Sequence, residues 1–180
     1  AGSDARMNGC ELPVVINYGS GNQGLTVSVP LIIYAEREHL DKEKLYRALV
    51  ISNLTAIHLK TEIGRLSAFC GAVSAGAACG AGLAYLKDAS EEVMNHTIVN
   101  ALAITSGIIC DGAKASCAAK IAVSVEAGIL GYDMYMNGQQ FYGGDGIISK
   151  GIENTIHNIG VLGSQGMAST DQEIIKIMCE

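Results

Sequence analysis

The chain has no tryptophan, and only two phenylalanines and two prolines among its 180 residues. With aromatics at 5% of the residues, the core cannot be assembled from large rings, so the apolar 49% must pack as Ala, Gly, Val, Ile and Leu. Small side chains let helix backbones approach closely, so the expected fold is all-α: one compact Ala/Gly-rich domain over residues 1–180. Positive charge is also scarce, with 12 Lys and Arg against 18 Asp and Glu. A net charge of −6 argues against nucleic-acid and anionic-membrane partners, which both need concentrated Lys and Arg. No low-complexity tract or internal repeat interrupts the chain, which argues against disorder.

No basic segment followed by an apolar run opens the chain, so no signal peptide is read. Nor does it begin with Met; its polar start, Ala1 to Arg6, reads as a cut within a longer protein. The six cysteines are then expected to be cytoplasmic thiols rather than a disulfide framework.

Charge is absent from Ala68 to Leu86, a stretch long enough to cross a membrane and holding the small-xxx-small spacing Gly76 to Gly80. Its composition is mostly Ala and Gly, which lipid favours only weakly. A helix apolar on all sides and buried at the centre of a bundle is the preferred reading.

The remaining elements follow from periodicity and punctuation. Asp41 is read as the N-cap of a helix whose apolar residues are Leu45, Leu49, Leu54 and Leu59, with Ala48, Val50, Ile51 and Ile57 between, and which breaks near Gly64. Ser90 starts another helix that stops near Gly107 or Cys110. Further helices are expected over about Ala115–Met136, Ile148–Leu162 and Asp171–Met178, with a glycine-rich loop from Asn137 to Gly146. Leu25, Val27 and Val29 alternate like a strand, but Pro30 would remove a ladder donor, which favours a helix from Leu25 to Glu38.

Two constellations carry chemistry. Cys110 and Cys117 bracket Asp111-Gly112-Ala113-Lys114-Ala115-Ser116. Unbroken helix would hold them about 10.5 Å apart along its axis, whereas the Asp-Gly turn lets one helix end at Cys110 and the next begin near Cys117. Cys117 would then lie in a helix's first turn, where the dipole favours thiolate. Spacing alone leaves two readings, a metal site or two small buried residues. The second constellation is Asn17-Tyr18-Gly19-Ser20-Gly21-Asn22-Gln23-Gly24. Its glycines allow close approach, and Asn17, Ser20, Asn22 and Gln23 offer neutral groups to a substrate carboxylate, with a surface turn as the alternative. It lacks the GxxxxGK[ST] pattern of a phosphate loop.

Other polar residues read as structural. His58, His96 and His157 sit in helical segments, His39 at a helix end, and Lys60, Glu62 and Arg65 on a solvated face. Packing is the expected role of Cys10, Cys79 and Cys179. Asp111 and Lys114 stand out because they lie beside thiols.

Ser3-Asp4-Ala5-Arg6-Met7-Asn8-Gly9, the Asn17–Gly24 stretch, Cys70-Gly71-Ala72 and Gly107–Cys117 together resemble the L-cysteine desulfidase branch of the serine dehydratase-like alpha-chain family. The resemblance implies that Cys70, Cys110 and Cys117 hold a [4Fe-4S] cluster with one iron lacking a protein ligand. It also implies a lyase that converts L-cysteine or L-serine to pyruvate and ammonia with release of sulfide or water. The Asn17–Gly24 residues and Lys114 would serve the amino-acid substrate. Family members are longer, so the chain corresponds to their C-terminal, cluster-binding part, with the N-terminal part of the same protein as its partner. A further cysteine of that N-terminal part has no counterpart here, since Cys10 stands in a different motif. Apolar surface left by such a cut would favour a homo-oligomer. Two other classes stay open: a structural zinc site, which needs a fourth ligand such as Cys79 or a histidine, and a helical interaction module without catalysis.

Overall fold

In the computed structural model, which describes all 180 residues, the uncharged central segment forms the helix around which the others are arranged. Eight α-helices follow in chain order: α1 (Gly2–Met7), α2 (Gly21–Arg37), α3 (Lys42–Ile63), α4 (Gly71–Leu86), α5 (Glu91–Thr105), α6 (Cys117–Met136), α7 (Ile152–Val161) and α8 (Ala168–Cys179). A π-helical turn, Leu162–Gly166, links the last two, and no strand forms. The all-α expectation holds, and α4 touches α2, α3, α5 and α6. No helix is long and apolar enough to cross a membrane.

Glycine explains how α4 fits among its neighbours. A Cβ added at Gly80 would lie 2.8 Å from the Gly128 Cα of α6, and one at Gly128 would lie 2.6 Å from the Gly76 carbonyl oxygen. The two backbones therefore touch without intervening side chains. Against α2 and α3, a Cβ at Gly82 would meet Leu31 at 2.6 Å and the Ala48 carbonyl oxygen at 3.1 Å. Larger apolar residues fill the space beyond these crossings. Leu59, Ile63, Phe69, Val73, Ile98, Leu102, Ile156 and Ile159 make one core cluster, and Leu31, Ala35, Ala48, Cys79, Leu83 and Leu86 make another.

Three side-chain caps define helix starts. Ser20 accepts from the Gln23 N–H at 3.3 Å, Asp41 from Lys44 at 2.9 Å and Ser90 from Val93 at 3.4 Å. The helical reading at Pro30 is correct, and α2 runs through the proline. It starts at Gly21 rather than Leu25, because Ser20 already satisfies a first-turn donor. The α4 helix starts at Gly71 rather than Ala68, since Ala68 to Cys70 is extended and pairs with Ile108 to Cys110. α5 ends at Thr105, short of both expected stops, and α7 starts only at Ile152, after Gly151 at φ 87°.

The expected apolar stripe of α3 needs correction. Leu54, Val50 and Ile57 are exposed, and the buried row is Ala48, Ser52, Ala56 and Lys60 at four-residue steps, with Leu59 and Ile63 beside it. Small residues face inward here because the α4 backbone comes so close. Lys60, expected on a solvated face, is consequently buried, whereas Glu62 and Arg65 are exposed. Cys79 is buried as expected, and burial pushes its thiol up to about 12. Cys10 and Cys179 do not pack; both are exposed, and all six cysteines are free.

Candidate functional site

Cys70 and Cys110 meet through a short antiparallel backbone pairing. The Cys110 N–H donates to the Ala68 carbonyl at 2.6 Å, and the Cys70 N–H donates to the Ile108 carbonyl at 3.2 Å. The turn at Asp111-Gly112, with Gly112 at φ 89°, then carries the chain to Cys117, the first residue of α6. Cys70 is the N-cap of α4. Two of the three thiols thus sit at helix N-termini, where aligned backbone dipoles favour negative charge. The expected turn between Cys110 and Cys117 is present, although Cys110 belongs to the extended pairing and not to the end of a helix.

All three cysteines line one cavity of about 250 Å³. Its wall combines the N-terminal turns of α2, α4 and α6, the end of α3 and the Arg65–Phe69 connection. The Cys70 thiol is hydrogen-bonded to Cys110, which draws Cys110 down to about 6 and raises Cys70. The Gly112 backbone and Lys120 support the Cys110 thiolate further. Cys117 donates through Sγ to the Gly112 carbonyl at 3.7 Å and accepts from the Lys114 N–H at 3.4 Å. Lys120 Nζ lies 2.6 Å from Asp111 Oδ1, and that bond holds the Asp111 carboxyl below its ordinary range.

The other expected site residues divide. Ser20, Asn22 and Gln23 line the cavity, but they belong to the first turn of α2 or its cap rather than to a loop. Asn22 is already engaged: its Oδ1 accepts from Ser3 Oγ at 3.1 Å and Arg6 at 3.0 Å. The Ser3–Arg6 motif therefore clasps the cavity wall from behind. Asn17 is buried outside the cavity, and its Nδ2 donates to Asn53 Oδ1 at 3.0 Å. Lys114 points to solvent outside the lining, and its place beside the thiols is taken by Lys120, one turn into α6.

Gln23 and Lys60 are the most conspicuous polar groups in the wall. Gln23 is 7% exposed and its Oε1 receives no hydrogen bond. Lys60 is 2% exposed, and burial holds its ammonium below the ordinary lysine range. Lys60 was not read as a site residue, although a signal existed: it continues the four-residue ladder Ala48, Ser52, Ala56 that faces α4.

Three thiols facing one hollow are a donor set that a multi-iron cluster could use. No group of three or more His, Cys, Asp or Glu side chains stands positioned to hold one metal ion. A cluster takes its cysteines on different irons, so the thiols need only face one hollow, with cations nearby to offset thiolate charge. A closed zinc site would need a fourth ligand. Cys79 packs in the other core cluster, and no histidine lines the cavity. His58 and His157 pair instead with Glu153 and Glu62 at 2.8 Å, and His96 stacks on Tyr135. A larger, more open hollow of about 770 Å³ lies beside the start of α5 and contains His96 and Glu92, but no cysteine.

Known proteins share this sequence along nearly its whole length. The family model for the serine dehydratase alpha chain matches residues 1–176. A UPF0597 protein of Desulfitobacterium hafniense is 67% identical over 178 residues, covering 99% of this chain and 41% of the relative. UPF0597 proteins of Lachnoclostridium phytofermentans and Finegoldia magna are 57% and 54% identical, with 43% of each relative covered. The chain thus spans about two-fifths of the length of these curated relatives. No solved structure matches. The chain belongs to the serine dehydratase alpha-chain family.

Proposed function

We propose that this member of the serine dehydratase alpha-chain family is the cluster-binding part of an amino-acid lyase, acting on L-serine or L-cysteine. The reaction removes the α-proton and the β-hydroxyl or β-thiol of the substrate, as water or sulfide. Hydrolysis of the resulting enamine then gives pyruvate and ammonia, consuming one water. The observation that carries this reading is the convergence of Cys70, Cys110 and Cys117 on one cavity that also holds two lysines and an unpartnered amide.

Cys70, Cys110 and Cys117 would hold a [4Fe-4S] cluster, which when bound supplies a Lewis-acidic iron free of protein ligation. The chain's own residues prepare the site around it. Cys70 and Cys117 stand at the starts of α4 and α6, and Lys120, oriented by Asp111, adds a fixed positive charge beside them. Ser20 fixes the start of α2, and Ser3 and Arg6 lock Asn22, so the α2 side of the cavity is rigid before substrate arrives. In this reading Ser20 and Gln23 remain substrate-facing, Asn22 supports the wall, and Asn17 and Lys114 have no direct contact with substrate.

The rim residue Leu66 is 94% exposed, an apolar side chain that a covering segment would bury. We assign that cover to the additional length found in the relatives, which makes the rest of the longer protein the natural partner. Free thiols and an oxygen-sensitive cofactor fit a reducing, cytoplasmic setting.

Anaerobic reconstitution with iron and sulfide tests the proposal. A broad visible absorbance band is expected, and it should be lost in Cys110→Ala and in Cys117→Ala. A band of unchanged intensity in both variants would sink the cluster assignment.

A further inference from the structure

Three groups in the cavity wall lack partners, and their needs are complementary. Lys60 is a buried cation with no ion pair and no hydrogen bond, although Glu62 and Arg65 are close in sequence. The Glu62 carboxylate is turned outward to His157 at 2.8 Å, so no carboxylate pairs with Lys60, and the acidic groups nearest it are the Cys110 and Cys70 thiols. At the N-terminus of α4, the Gly71 N–H donates to no protein acceptor, and Cys70 provides no side-chain cap. These two groups call for an anion. Gln23, by contrast, presents an unpartnered acceptor, Oε1, from a side chain that is 93% buried. It calls for a donor. The amide lies against Gly71 so closely that a Cβ there would sit 2.5 Å from Gln23 Nε2, so acceptor and helix terminus adjoin.

A molecule carrying a carboxylate and an ammonium on one carbon would satisfy all three. We infer that Lys60 and the Gly71 N–H bind the α-carboxylate, and Gln23 Oε1 the α-ammonium, of a free amino acid. This assignment rests on the functional reading above and adds its recognition chemistry. It implies selection for a free amino acid, because an amide or peptide carbonyl cannot pair with Lys60 as a carboxylate does. Burial strengthens that discrimination, since the unpaired ammonium has little water to fall back on. Asn22 cannot take the role of Gln23, because its oxygen is already shared by Ser3 and Arg6.

The test uses the full-length protein, reconstituted anaerobically, and calorimetric titration with ligands that cannot react: L-alanine, L-alaninamide and propanoate. Lys60→Met should weaken L-alanine and propanoate roughly 10- to 100-fold while leaving L-alaninamide within about twofold. Gln23→Leu should show the crossed pattern, weakening L-alanine and L-alaninamide but not propanoate. Lys60→Arg should restore part of the carboxylate preference, and all three variants should keep the visible band. Uniform weakening of every ligand, or unchanged L-alanine binding in Lys60→Met, would overturn the assignment while the cluster reading stands. Loss of the band in Lys60→Met would overturn it too, by showing that this lysine serves the thiolates. A wild-type protein without the band removes the functional reading itself, and this assignment with it.

Discussion

At Cys70 and Cys110 two adjacent thiols have opposite tendencies, and Cys110 is the sulfur favoured to carry the charge, helped by Cys70, the Gly112 backbone and Lys120. The Cys70 thiol donates to Cys110, so Cys110 ionises well below an ordinary thiol and Cys70 well above it. In metal-free protein, Cys110 should therefore be alkylated by iodoacetamide already at pH 7, with the rate rising with pH from about 6 as the thiolate forms. Cys70→Ala should move that profile upward, because the donor that stabilises the thiolate is gone. Peptide mapping of the alkylated cysteines against pH reads both effects, and equal labelling of Cys70 and Cys110 at pH 7 would contradict them. Lys60 illustrates a residue misread for a definable reason. Its neighbours in sequence are polar, but its neighbours on the helix are Ala56 and Ile63, both buried. Small residues at four-residue steps mark a close helix crossing as surely as leucines mark a loose one: Ala48 and Leu59 of the expected stripe are buried, and Ser52, Ala56 and Lys60 continue the row from Ala48.

The crossing of α4 and α6 has no tolerance for a side chain. Gly80→Val would drive a branched side chain against the Gly128 Cα and Thr97 and is expected to cost roughly 2–3 kcal/mol, with strain from displaced helices as the cause. Urea denaturation would show it, and a loss under about 0.5 kcal/mol would mean that the backbones can part freely. A cap is a milder feature. Ser90→Ala removes the acceptor for the Val93 N–H and should cost about 1 kcal/mol, visible as a modest fall in Tm. Most helix locations were legible from periodicity, and two of the three capping residues, Asp41 and Ser90, marked starts correctly. The start of α4 was not legible, because the pairing of Ala68–Cys70 with Ile108–Cys110 joins segments far apart in sequence, and no local pattern encodes it.

Across the whole molecule, Asn100 ties together parts that share no sequence signal. Fully buried on α5, it donates through Nδ2 to the Gly131 carbonyl of α6 at 3.0 Å and accepts at Oδ1 from the Phe141 N–H in the following loop at 3.1 Å. Asn100→Leu would leave the Phe141 N–H unpaired and remove the second bond to the Gly131 carbonyl, which keeps its place in the α6 ladder, and is expected to destabilise the protein by about 2 kcal/mol, chiefly the desolvation penalty of the unmade bond. Thermal unfolding of the variant against wild type measures it. The exposed pairs His58–Glu153 and His157–Glu62, which tie α7 to α3, should matter far less. His157→Ala is expected to shift stability by less than about 1 kcal/mol, and that small effect should shrink further in high salt.

By itself the sequence determined that the protein is helical, that its centre is an Ala/Gly helix, and that Cys110 and Cys117 need a turn between them. Each of these follows from local composition or from distances along a chain. Only the tertiary structure decided that Cys70 lies beside Cys110, that Asn17 and Lys114 stand outside the cavity, and that Lys60 and Gln23 face into it without partners. The reason is physical: a cavity wall is made where several helix ends meet, and which side chain turns inward there depends on how closely neighbouring backbones approach. In this protein glycine sets that approach at α4.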